Sequence, residues 1–265
     1  MFLGIDIGSV SVNLVILNEK KEILKEEYIR HMGQPVKTAL EALKDVEAKF
    51  PVENIWDIGV TGSGGKLIVD KIKGTFVNEV VAQAKAVELF HPQARTIIEI
   101  GGEDSKLILV EYDKHSETMM VKDFAMNTIC AAGTGSFLDQ QATRLGFTIE
   151  QFGEESLKSK TPPRIAGRCS VFAKTDMIHL QQEATPVYDI ISGLCFAMAR
   201  NFRSSIGKGK DFIKPVVFQG GVAANKGMIR AFRDVLGLTD GELIVPEHFP
   251  SMPAIGVALL RMTVP

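Results

Sequence analysis

Asp6-Ile7-Gly8-Ser9-Val10-Ser11-Val12-Asn13-Leu14-Val15-Ile16-Leu17 lies over Glu99-Ile100-Gly101-Gly102-Glu103-Asp104-Ser105-Lys106-Leu107-Ile108-Leu109-Val110 without a gap. In each stretch a strand delivers an acid, Ile-Gly follows, and a small polar turn leads into a second apolar strand. Working outward, the first half reads as strands Phe2–Asp6, Val12–Leu17 and Ile23–Arg30, a helix over Pro35–Phe50, and a strand Ile55–Thr61 that ends in Gly62-Ser63-Gly64-Gly65. Two further helical pieces lead to Phe90. The pattern then restarts with strands Thr96–Ile100, Lys106–Tyr112 and Glu117–Ala125. Helices follow over about Thr134–Leu145, Ser170–Glu183 and Pro186–Ile206. Pro215–Gln219 is a strand ending in Gly220-Gly221, Asn225–Leu236 a helix, Leu243–Val245 a strand, and a last helix begins near Met252. The reading is α/β, a duplicated β-β-β-α-β-α unit. Residues 1–95 form a first half with one turn; residues 96–265 form a second half with the other turn and the cysteines. The last helix is a candidate to pack back on the first half. Gly153–Pro163, the densest polar stretch, reads as a loop or surface helix.

Bulk numbers narrow the function classes. At 265 residues, 45% apolar and 23% charged, the chain can bury a sizeable core. A net charge of -2 points to neither a nucleic-acid nor a membrane-surface partner. The opening apolar run is interrupted by Asp6 and has no basic leader, so it reads as strand–turn–strand rather than a signal peptide. No stretch approaches the roughly 18 to 20 apolar residues of a membrane span. Three cysteines, an odd and low count, argue against a disulfide framework, and a cytoplasmic protein is expected.

The two turns carry the chemistry. A tight hairpin through Gly8, Ser9, Val10 and Ser11 can aim several backbone N–H groups at one point, and Gly8 lets a bulky anion approach. Asp6, at the strand end, is placed to hold Mg²⁺ through water. Gly101, Gly102, Glu103 and Asp104 offer the same groups from the other half, so the pair could grip a triphosphate between the halves. Asp104, Glu103 or Glu99 would then position an attacking water. The alternative is a pair of ordinary glycine hairpins; the in-register repeat weighs against it. Gly220, Gly221 and Asn225 could pack on a nucleoside, or form only a strand–helix junction that needs small residues. There is no G-x-x-x-x-G-K-[ST] and no G-x-G-x-x-G after a strand, so neither a P-loop nor a dinucleotide fold is indicated. The five histidines, His31 among them, show no metal-ligand spacing and read as surface or packing residues.

Cys130 and Cys169 each precede a helix, and Arg168 stands beside the second. Helix N-termini and a neighbouring cation favour a thiolate, so both are candidate reactive or ligating positions. Cys195, inside an apolar helix, reads as core. Two thiolates cannot complete an iron–sulfur cluster, which usually takes four; a symmetric dimer could supply two from each subunit. Two packing residues remain the other possibility on spacing alone.

Taken together, Gly4-Ile-Asp-Ile-Gly-Ser9, Glu99-Ile-Gly-Gly-Glu-Asp-Ser105, Asn127-Thr-Ile-Cys130-Ala-Ala-Gly-Thr-Gly135, Gly167-Arg-Cys169-Ser-Val-Phe172 and Gly220-Gly-Val-Ala-Ala-Asn225 resemble the ATP-dependent activator family of 2-hydroxyacyl-CoA dehydratases. That family includes the ATPase subunits of benzoyl-CoA reductases and the reductases of double-cubane cluster proteins. The resemblance spans nearly the whole chain. It implies a duplicated actin/hexokinase/Hsp70-like (acetate and sugar kinase) ATPase fold with ribonuclease-H-like halves, and binding of ATP or ADP with Mg²⁺. It implies a homodimer sharing one [4Fe–4S] cluster held at Cys130 and Cys169. It further implies ATP-driven transfer of one low-potential electron, from a donor such as ferredoxin or flavodoxin, to a partner iron–sulfur enzyme. One departure stands out: the classical activators resemble Asp-Ile-Gly-Gly-Gln-Asp where this chain has Glu99-Ile-Gly-Gly-Glu103-Asp104. The acid at 103 is consistent with a branch serving another partner, such as a double-cubane protein. The competing readings are a sugar-type kinase of the same fold without a cluster, and a nucleotide-gated switch whose cysteines only pack.

Overall fold

The computed structural model describes residues 1–127 and 130–262; Thr128, Ile129, residues 263–265 and the side chain of Val52 lie outside it. In chain order the elements are β1 (Phe2–Ile7), β2 (Ser11–Leu17), β3 (Ile23–Arg30), α1 (Pro35–Lys49), β4 (Asp57–Thr61), β5 (Thr75–Phe76) and α2 (Glu79–Phe90). Then follow β6 (Thr96–Ile100), β7 (Ser105–Asp113), β8 (Thr118–Asn127), α3 (Gly135–Leu145), α4 (Ile149–Ser156), α5 (Ser170–Gln182) and α6 (Val187–Ser205). The chain closes with β9 (Val216–Gln219), α7 (Lys226–Leu236), β10 (Leu243–Ile244) and α8 (Met252–Met262).

The repeat read in the sequence is a repeat of topology. One sheet runs β3-β2-β1-β4-β5 and the other β8-β7-β6-β9-β10, so each strand has its counterpart five places on. In both, the first hairpin is antiparallel and the later strands join in parallel. The fold is the duplicated actin/hexokinase-like ATPase fold. Residues Met1–Ala94, Val110–Lys122 and Glu247–Pro265 form one compact unit, and Arg95–Leu109 with Asp123–Pro246 the other.

Burial explains the strand positions. β1 and β2 are buried along nearly their whole length, as central strands covered on both faces must be, whereas β3 alternates half-buried and exposed, as an outer strand does. In the first unit the core gathers Leu3, Ile5, Val12, Leu14 and Ile16 against Ala39, Ala42 and Val46 of α1. No helix among the described residues is long and apolar enough to cross a membrane.

Two local expectations change. Only a single 3-10 turn, Gly65–Leu67, stands where a helix was expected before α2. Lys73 there adopts a left-handed φ of 54°, and the chain enters β5, which pairs with β4, before Asn78 caps α2. Within Gly153–Pro163 the helix begins earlier than the polar run. Thr148 and Gln151 form a reciprocal capping box that starts α4, a Thr-x-x-Gln signal present in the sequence.

Candidate functional site

In the first unit Asp6 is the penultimate residue of β1, 6% exposed. Its register partners are Asn13 on β2 and Thr61 on β4. Asn13 Nδ2 donates to Asp6 Oδ2 at 3.1 Å. On the other side, a Cβ placed on Gly62 would fall 2.4 Å from Asp6 Oδ1 and 2.4 Å from Ile7 O; Gly62 also has φ +86°. The fold itself therefore requires glycine at 62, and that glycine lets the carboxylate lie against bare backbone. A carboxylate held from both sides and ending a strand fits the water-mediated magnesium role.

Gly8 behaves differently. Its N–H donates to Ser11 O at 2.9 Å, which closes the turn, yet a Cβ there would meet only Ser11 O, at an ordinary 3.5 Å. Nothing in the fold demands glycine at 8. Gly8, Ser9, Val10 and Ser11 are all half-buried, so this turn is open to an approaching group.

In the second unit Glu99 ends β6 as Asp6 ends β1, and is 5% exposed. Lys106, on the facing strand, donates from Nζ to Glu99 Oε2 at 2.9 Å and to Asp104 Oδ2 at 2.8 Å. Lys106 is only 2% exposed, so a buried cation binds two of the three candidate acids. Glu103 is exposed on the turn outside this arrangement. Sequence reading missed Lys106, although a lysine inside an apolar strand, seven residues after a strand-ending acid, was its signal. Glu99 Oε1 lies where a Cβ on Gly220 would come within 2.8 Å, and Gly220 has φ +85°. Its glycine is thus set by Glu99 and the Ile100 carbonyl, before any ligand is considered. A Cβ on Gly101 would meet Asp104 Oδ1 at 3.1 Å and Glu99 Oε1 at 3.3 Å. Asn225 caps α7, its Oδ1 accepting from Met228 N at 3.1 Å, while buried Nδ2 has no partner among the described residues. Gly221 begins the 3-10 turn Gly221–Ala224 between β9 and that cap.

The turn of the second hairpin is tied to the cysteine segment. Gly135 N donates to Gly101 O at 2.9 Å and Ser136 N to Gly102 O at 2.8 Å, so the turn's carbonyls receive the first amides of α3. Cys130 precedes the 3-10 turn Ala131–Gly133 rather than α3 directly, which places it further from that helix's N-terminus than expected. Asn127 pins it from both sides: Oδ1 accepts from Cys130 N at 2.9 Å, and Nδ2 donates to Cys130 O at 2.8 Å. Cys169 is the residue immediately before α5, as expected. Cys130 Sγ lies 3.5 Å from Arg168 O, so the two cysteines, far apart in sequence, come to the same place. Both are half-buried, whereas Cys195 is fully buried and desolvation pushes its thiol up to about 12. Cys130, Asn127, Arg168 and Asn201 line a cavity of about 400 Å³. Burial, then the nearby positive charge of Arg164, holds Arg200 below the usual guanidinium range.

Among the described residues no three His, Cys, Asp or Glu side chains converge as a metal site. Cys130 and Cys169 offer two thiols, where an iron–sulfur cluster usually takes four.

The chain matches the model of the BadF/BadG/BcrA/BcrD ATPase family over residues 3–260. It is 32% identical to the 2-hydroxyisocaproyl-CoA dehydratase activator of Clostridioides difficile over 259 residues, 97% of this chain and 93% of that one. It is 31% identical to the (R)-2-hydroxyglutaryl-CoA dehydratase activating ATPase of Acidaminococcus fermentans, over 89% of this chain and 88% of that one. The structure of the Clostridium difficile activator of 2-hydroxyisocaproyl-CoA dehydratase with bound ADPNP superposes with a TM-score of 0.86 at 30% identity, covering 99% of this chain and 94% of that one.

Proposed function

This chain belongs to the BadF/BadG/BcrA/BcrD ATPase family, and we propose that it spends ATP to pass one low-potential electron to a partner iron–sulfur enzyme. The partner would be of the 2-hydroxyacyl-CoA dehydratase or double-cubane type. Two relatives at or above 30% identity are named as activators of such dehydratases, which supports an ATPase that activates a partner and does not favour the sugar-kinase reading.

The observation that carries the electron-transfer part is the meeting of Cys130 Sγ with the Arg168 carbonyl, one residue before Cys169. Two accessible thiols brought together beside Arg168, with the third sealed in the core, support a ligand role over a packing one. Val171 and Phe172, each 64% exposed, follow Cys169 directly, so apolar surface lies next to the thiols. A second copy of the chain meeting there about a two-fold axis would bring the ligand count to four and cover that surface. A [4Fe–4S] cluster so held supplies one-electron transfer.

The chain's own residues do the rest. Asp6, oriented by Asn13, holds Mg²⁺ through water, and the Gly8–Ser11 turn donates backbone N–H groups to phosphate oxygens. Gly101 and Gly102 contribute the second turn. Glu99, fixed and charge-balanced by Lys106, orients the hydrolytic water, with Asp104 beside it on the same ammonium. Catalysis of this kind is mostly orientation and charge stabilisation. Gly221 and Asn225 face the nucleoside. A change at Gly101 or Gly102 is felt at Gly135 and Ser136 through two backbone hydrogen bonds, and so at the segment that starts with Cys130.

The test is anaerobic purification with iron and sulfide analysis. About four irons per dimer are expected in the native protein, and almost none after Cys130→Ala or Cys169→Ala, with Mg·ADP binding retained. Native protein that hydrolyses ATP but holds no iron after anaerobic reconstitution would remove the electron-transfer reading and leave the ATPase.

A further inference from the structure

His31 stands immediately after β3, is 7% exposed, and reaches the turn between β1 and β2 with two of its atoms. Its backbone N–H donates to Val10 O at 3.1 Å, and its Nε2 lies 3.3 Å from Gly8 O. A carbonyl oxygen only accepts, so Nε2 carries the proton. The Gly33 N–H donates to Nδ1 at 3.1 Å, so Nδ1 presents its lone pair. One ring state satisfies both contacts: the neutral imidazole protonated on Nε2. The imidazolium loses the Gly33 bond, and the other neutral tautomer loses both.

The backbone that holds this ring is costly. Gln34 N–H donates to His31 O at 2.8 Å, closing a four-residue turn whose central residues, Met32 and Gly33, have φ of 48° and 80°. Two positive φ values in succession mark a type I′ turn, whose first central position ordinarily takes Asn, Asp or Gly. Methionine there is 82% exposed and gains no packing that would offset a left-handed backbone. Such a conformation persists where its surroundings hold it, and it clusters at working sites.

What the ring achieves follows from peptide geometry. The Gly8–Ser9 peptide is planar and trans, so its C=O and its N–H point in opposite directions. Fixing Gly8 O on the imidazole therefore aims the Ser9 N–H away from it, out of the turn. Gly8 carries no side chain that the fold requires to be absent, which leaves that side of the turn clear for a ligand. We propose that His31 is the positioning residue of the first phosphate turn, holding the Ser9 amide on a phosphate oxygen of the nucleotide. The proposal rests on the reading of Gly8–Ser11 as a phosphate cradle.

The experiment uses the intact protein, purified without oxygen, and three variants. His31→Gln keeps a donor at the place of Nε2; His31→Asn keeps polar atoms near Nδ1 only; His31→Phe keeps the ring volume and neither bond. The loss of one neutral hydrogen bond that orients a ligand-binding amide corresponds to about tenfold in binding. His31→Phe and His31→Asn should raise KM for ATP about tenfold with kcat within about threefold, and weaken Mg·ADP to the same degree. His31→Gln should stay within about threefold of the parent in both. Equal constants in all four proteins, or His31→Gln as impaired as His31→Phe, overturns the proposal. Because His31→Phe could also fail to fold, ¹H–¹⁵N spectra of the unmodified protein give a second test: Nε2 must be the protonated ring nitrogen, and a proton on Nδ1 overturns it. An unmodified protein that binds no nucleotide sinks the ATPase reading instead, a result distinct from either of these.

Discussion

Lys106 Nζ lies 2.9 Å from Glu99 Oε2, across two antiparallel strands at register positions directly opposite each other. The pair is almost wholly buried, so neither charge has water to fall back on. Lys106 also holds Asp104, whose carboxylate is partly exposed. Replacing the cation with an apolar chain of similar length leaves a buried carboxylate uncompensated. Lys106→Met is expected to lose about 3 kcal/mol of stability in urea unfolding. With Glu99 in the proposed role of orienting water, ATP turnover should fall much more than affinity for ADP, because the ammonium acts through that acid. Unchanged kcat in a folded Lys106→Met protein would show that Glu99 is not that acid.

Gly8 and Gly62 look alike in sequence and part company in the structure. At Gly62 an added methyl meets the Ile7 carbonyl at 2.4 Å in a left-handed backbone; at Gly8 it meets only Ser11 O at 3.5 Å. Gly62→Ala is therefore expected to cost about 3 kcal/mol of stability. Gly8→Ala should change stability by less than about 0.5 kcal/mol yet weaken Mg·ATP at least about tenfold, by filling the space a phosphate enters. Calorimetric unfolding and nucleotide titration on the same two variants check both halves. Full ATP affinity in Gly8→Ala would remove the phosphate role of this turn.

Much of the fold was legible because it is written twice. Asp6 and Glu99 fall in register, and so do the strands they end; hydrophobic runs and strand-ending glycines then place the remaining strands of each sheet. β5 escaped because two exposed residues carry no periodicity, and it exists only through pairing with β4. At the candidate site the backbone turns were readable and their supports were not. Lys106 and His31 act through side chains that meet residues seven and 23 positions away. A lysine in an apolar strand hinted at the first, but no local pattern announces a partner brought by a left-handed turn. Asn127, three residues from Cys130, was the nearest miss, since an Asn bracketing its own chain is a local device.

Glu242 gives a pH handle remote from any of this. It accepts from Thr239 N at 2.7 Å and from Lys214 Nζ at 3.0 Å, and the Thr239 bond first, with Lys214 after it, holds its carboxyl down at about 2 from 4.5. A depressed carboxyl contributes stability in full above its unfolded value and loses it as pH falls toward its folded one. Glu242→Gln should therefore melt below the parent at neutral pH, the gap should close between about pH 4.5 and pH 2, and ATP turnover should not change. A gap that stays constant down to pH 2 would show that the ionised carboxylate is not what stabilises this turn.

The three cysteines should separate by alkylation, whether or not iron is present. Cys195 is sealed in α6 and its thiol is raised to about 12, so at pH 8 only about one part in ten thousand is thiolate. Iodoacetamide at that pH should leave it unmodified until the protein unfolds. Cys130 and Cys169 are half-buried beside Arg168 and should react in iron-free protein. If they hold a cluster, both should be protected in the anaerobic iron-loaded protein and become reactive together after chelation, since losing one ligand frees the other. Mass spectrometry of the modified peptides reads all three sites at once. Protection of only one of the pair in iron-loaded protein would break the symmetric two-ligand assignment, and rapid labelling of Cys195 in the folded state would contradict its burial.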